Sequence, residues 1–250
     1  MFRACGLILF LLGVSVGHAA AQSKSLVEPP YAIWDVELGA SVETIPTLDV
    51  NDLACGTNGG PTSYALESPS EFTKCKPEPT GLREIHFSYD DELDYVARAM
   101  NSEYKVLQDG TSVFAHPVIV SILADEAAVI QGIRIVTDQT AELEYRRRAV
   151  SLLRNLVAKY KNWNLECTDL PLEEDEKRIG GHFVKQTCMG KSPDGTSVIR
   201  LDGRHLRKPG QTAVNRETRA VNATYFESFT RLEIVRLPYA TSPPLVLQAE

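Results

Sequence analysis

Val113-Phe-Ala-His-Pro-Val-Ile-Val-Ser-Ile-Leu123 and Val129-Ile-Gln-Gly-Ile-Arg-Ile-Val136 stand on either side of Asp125-Glu126. Both runs are rich in β-branched residues, which fit a pleated surface. Ile133 and Ile135 alternate with polar neighbours, the period-two pattern of a strand with one buried face. The pair predicts an antiparallel hairpin. Pro117 cannot donate to a ladder, so it marks an edge or a bulge at one end.

The segment after the hairpin predicts a long helix over Thr140–Lys161. Thr140 is a natural N-cap, Glu142 and Glu144 sit in the first turn, and Lys159 and Lys161 close the last, all matching the macrodipole. Leu143, Val150, Leu153, Val157 and Tyr160 form one apolar stripe, broadened by Leu152 and Leu156. Arg146-Arg147-Arg148 lies partly off it and reads as a solvated charged face. Beyond the helix, strands are predicted at Trp163–Cys167, Gly181–Cys188, Ser197–Leu201 and Phe229–Leu237. Pro193-Asp-Gly195 and Asp202-Gly203 supply turn chemistry between them.

Ahead of the hairpin, Tyr31–Leu38 alternates in part and reads as a first strand. Ser41 caps a short helical turn that Pro46 ends. Leu82–Tyr89 reads as a strand, and Asp90–Met100 as a helix with acids at its N-terminus. The order of elements gives an α+β class, an antiparallel sheet packed against one long and one or two short helices. We assign residues 31–237 to one such domain, divisible into subdomains 31–110 and 111–237, with a Pro-containing tail at 238–250.

Residues 1–21 carry Arg3, an apolar run from Leu7 to Val16, and Ala19-Ala20-Ala21. This is the pattern of a secretory signal, with a loose arm at 22–30 beyond it. The run is too short to span a bilayer, so the expected mature chain has no transmembrane segment and is periplasmic or secreted. Loss of Arg3 takes the formal net charge from −7 to −8. An acidic chain lacks the basic face that nucleic acid requires. Of five cysteines, four remain after such cleavage. An even count in an exported chain reads as disulfides, and Cys55 with Cys75 and Cys167 with Cys188 are the local pairs.

Gly56-Thr-Asn-Gly-Gly-Pro61 lacks the Lys-Ser/Thr of a phosphate loop and reads as ordinary turn chemistry. Past the signal at residues 1–21, no Gly-x-Ser-x-Gly, His-Glu-x-x-His or Cys-x-x-Cys occurs, so neither a cofactor nor a metal is expected. The segment Arg200–Arg219 departs from the acidic average, with six Arg or Lys against two acids. Arg204, His205, Arg207, Lys208, Arg216 and Arg219 are the expected recognition residues for an anionic ligand or a cell-envelope protein. The expected function is that of an exported, non-catalytic binding or accessory protein. The rival is a hydrolase or lyase in which His116 or His182 meets distant Asp or Glu residues.

Overall fold

The computed structural model describes residues 31–89, 111–141, 143–208, 211–214, 221–224 and 227–244. The signal and arm at 1–30, the helix expected at Asp90–Met100, and Arg216 and Arg219 lie outside these residues.

An antiparallel sheet dominates the fold. Its strands are β1 (Asn51–Cys55), β2 (Arg83–Ser88), β3 (Ser112–Val113), β4 (His116–Ala124), β5 (Ile130–Thr137), β6 (Glu166–Asp169), β7 (Val184–Lys191), β8 (Ser197–Leu206) and β11 (Glu227–Arg236). The order across it is β1-β2-β4-β5-β11-β8-β7-β6, with β3 paired to the start of β4. A separate ribbon joins β9 (Gln211–Val214) and β10 (Val221–Thr224). The predicted hairpin is β4–β5, with Ile122 opposite Ile133 and Val120 opposite Ile135.

The long helix, α1 (Leu143–Lys159), crosses one face of the sheet. Leu152 and Leu156 are fully buried beneath it, with Leu153 and Ala149 beside them. They meet Val120, Ile135, Leu201 and Leu232 in a single core. The apolar stripe is thus real, but its centre runs through Leu152 and Leu156, the residues expected only to broaden it. Thr140 donates its hydroxyl to Asp138 at 2.7 Å.

Three expectations change. Tyr31–Leu38 is not a strand; it holds a 3-10 turn at Ile33–Asp35, and Asp35 accepts from the Ala32 N–H at 2.8 Å. Asp202-Gly203 is not a turn but lies inside β8, opposite Thr187-Gln186 on one side and Arg231-Thr230 on the other. A Cβ at Gly203 would collide with the Leu153 side chain, so the glycine there admits the helix. Trp163 belongs to a 3-10 turn, and the next strand begins at Glu166. By contrast, Ser41 does cap the turn Val42–Thr44, accepting from the Glu43 N–H at 3.3 Å.

Both cysteine pairs form disulfides, with S–S distances of 1.99 Å for Cys55–Cys75 and 2.00 Å for Cys167–Cys188. Cys167 and Cys188 face each other across β6 and β7. Among the described residues no helix is long and apolar enough to cross a membrane.

Candidate functional site

The sheet face opposite α1 is polar at its centre and covered by the chain itself. Arg134 on β5 and Glu233 on β11 are register partners. Arg134 donates from Nε to Glu233 at 2.8 Å and from Nη1 to Glu84 at 2.6 Å and to Glu78 at 2.7 Å. Arg231, one alternation away on β11, pairs with Glu233 and donates from Nε to Asn58 Oδ1 at 2.9 Å. Arg134, Arg231, Glu84 and Glu233 are all almost wholly buried. Buried charges persist only when paired and hydrogen-bonded, as these are.

Two segments make the cover. The Gly-rich loop places the Asn58 N–H 2.5 Å from Glu84 Oε2, and Gly56 backs directly onto the Glu84 side chain, where a Cβ would not fit. Gly59, at φ +87°, lies against Val136. The chain after β11 brings Ser242, whose N–H donates to Glu233 at 2.7 Å and whose carbonyl accepts from Arg231 at 2.9 Å. Tyr239 and Val198 pack on the cluster of Leu82, Leu123 and Val235 alongside. The loop and the tail also touch, since Asn58 Nδ2 donates to the Pro243 carbonyl at 3.1 Å. Burial pushes the Glu84 carboxyl up, against the pull of Arg134, and its Oε1 has no hydrogen-bond partner. The surrounding carboxylates raise the Arg134 guanidinium against its burial.

A second set of charges surrounds the end of β8. Arg204 pairs with Glu227 at 3.1 Å. Lys208 stands 3.6 to 4.0 Å from Glu173, Asp175 and Glu176. Lys185, buried, donates to Glu173 at 2.5 Å and Glu176 at 3.0 Å. Those expected recognition residues are therefore already compensated. Arg207 is not. It is exposed and exchanges two backbone hydrogen bonds with Lys177, each 2.8 Å. This bridge brings in Lys177 and Arg178, exposed cations outside the set expected from the sequence. Among the described residues no ion pair involves Lys177, Arg178 or Arg207. Arg178 also lies 5.8 Å from the centre of the Phe183 ring. Nothing local in the sequence signals this grouping, because the two segments are thirty residues apart and meet only through the bridge.

His86 feels the charges of Asp52 and Asp138, whereas the charge beside His116 is Arg148 and that beside His205 is His182. His86 Nδ1 is 2.7 Å from the Val120 carbonyl. His116 is buried beside β3, and burial, with Arg148 nearby, holds it below the usual imidazole range. His205 is lowered by burial and by neighbouring His182. Among the described residues no group of three or more His, Cys, Asp or Glu is arranged to hold a metal ion. The chain matches no family model, no curated protein and no solved structure.

Proposed function

We propose that this chain is an exported binding or accessory protein that engages an anionic component of the cell envelope through the end of β8. The observation that carries this reading is the exposed trio Lys177, Arg178 and Arg207, with no acid paired to any of them among the described residues, on a chain of formal net charge −7. Unpaired cations grouped on an acidic protein steer an anionic partner and lose that pull as salt rises. His182 is exposed beside them, and burial, with His182 nearby, holds the His205 imidazole below its usual range. Export is supported by the sequence pattern at residues 1–21 and by the two disulfides.

The test uses a heparin column as a generic polyanion. The wild-type chain should be retained at low salt, and Lys177→Glu/Arg207→Glu should elute earlier. Equal elution of the two proteins across the salt gradient would remove the β8 end from consideration as the recognition surface.

A further inference from the structure

Beyond Glu144 in its first turn, α1 carries charge of one sign. From Tyr145 to Lys161 the sequence contains six Arg or Lys and no Asp or Glu. Arg147, Arg148, Arg154, Lys159 and Lys161 are exposed. Arg147 and Arg154 are seven residues apart, two helical turns, and Arg148 and Lys159 eleven apart, three turns. The four therefore form two rows, roughly 100–140° apart around the helix. Among the described residues no ion pair involves Arg154, Lys159 or Lys161.

Apolar rings stand at the far end of these rows. Lys159 Nζ lies 4.2 Å from the centre of the Trp34 ring. Trp34 and Phe114 are 6.1 Å apart between centroids, 37% and 45% exposed. Phe114 and Ala115 form the tip of the β3–β4 turn at φ +50° and +60°. Both central residues of that turn are left-handed, the geometry that Asn-Gly adopts with least strain. A phenylalanine there works against local stability, and such an outlier points toward function rather than folding.

We infer that the α1 face, with Trp34 and Phe114 at its end, docks on the surface of a bilayer containing anionic phospholipid. Basic side chains meet lipid phosphates, while exposed aromatic rings settle at the headgroup boundary. A soluble polyanion would use the cations but gives the two rings nothing to enter, so the pairing of both features favours a bilayer. This surface belongs to α1 and the β3–β4 turn and is separate from the β8 end.

The experiment is co-sedimentation of the full chain with phosphatidylcholine vesicles, with and without phosphatidylglycerol. Wild type should bind only the anionic vesicles. Arg154→Glu/Lys159→Glu should weaken that binding by about tenfold or more, given how strongly each basic residue near a charged surface contributes. Phe114→Asn, which suits the turn, should weaken it several-fold while the protein stays folded by circular dichroism. Lys177→Glu/Arg207→Glu should leave it unchanged. The inference is overturned if wild type ignores anionic vesicles or if the α1 and Phe114 variants bind as wild type does. It is equally overturned if only the Lys177/Arg207 variant loses binding. Binding driven by the apolar run near the N-terminus would extend to neutral vesicles and ignore the substitutions, which also counts against it.

Discussion

Arg134 and Arg231 donate to the same hydroxyl: Ser242 Oγ lies 3.0 Å from a guanidinium nitrogen of each. Two buried cations on adjacent strands thus share one neutral acceptor that arrives from a segment with no strand of its own. Ser242→Ala removes that acceptor while leaving the backbone bonds to Glu233 and Arg231. A buried donor left without its partner costs about 1–3 kcal/mol. Urea denaturation should show a loss in that range with an unchanged slope. A loss below a few tenths of a kcal/mol would mean that water replaces the hydroxyl at no cost.

Glu84 makes stability depend on pH in a direction opposite to that of a salt-bridged surface acid. Desolvation raises its folded carboxyl above the ordinary value of 4.5, so the folded state holds the proton more tightly than the unfolded chain. Stability therefore falls as pH climbs from the ordinary value toward the raised one. The charges facing it are Arg134 on β5, Glu78 in the loop before β2, and, through Arg134, Glu233 on β11. Glu84→Gln should flatten this decline. Denaturation midpoints across a pH series check it, and a wild-type slope that survives in the variant would assign it to another group.

Gly203 tests how the helix is seated. A methyl group there would strike Leu153, so Gly203→Ala forces α1 away from β8. Overpacking of this kind costs about 1–3 kcal/mol. Thermal melts should register the loss, and the double variant Gly203→Ala/Leu153→Ala should recover part of the clash term despite its own cavity. Strict additivity of the two single changes would show that they do not meet.

Phe114→Asn should stabilise the protein by about 1 kcal/mol, since asparagine tolerates the left-handed region better than a bulky aromatic ring does. A melting temperature that drops instead would show that Phe114 is worth more to the folded core than its exposure indicates.

The elements legible in the sequence are those whose pattern is local. The β4–β5 hairpin, the long helix, the last strand and the two cysteine pairs can each be read from periodicity or spacing. Asp202-Gly203 cannot, because turn composition there serves a tertiary purpose. Asp202 accepts from Thr187 and Arg200, and Gly203 makes room for Leu153. Arg134 and Glu233 sit on the polar side of alternating strands, a side that sequence alone leaves to solvent. The alternation is correct, but no local pattern says that Asn58 and Ser242 return to cover that side. The residues expected to serve recognition meet the same limit. Arg204 and Lys208 carry charge in the sequence, and Glu227, Glu173, Asp175 and Glu176 offset it in space. Lys177 gains importance only through its pairing with Arg207.

The Cys55–Cys75 link holds more than its own loop. Asn58 lies three residues beyond the first cysteine and Glu78 three beyond the second, and each accepts from a buried arginine, Arg231 and Arg134 respectively. One covalent tie therefore sets two of the hydrogen-bonding arms that close the polar face. In a reducing compartment those arms would have to find their places without that tie. Oxidation of this pair thus acts on the closing of the polar face, while Cys167–Cys188 ties β6 to β7. Through the Cys55–Cys75 link, reaching an oxidising compartment would bear on how firmly the internal charges are sealed from water.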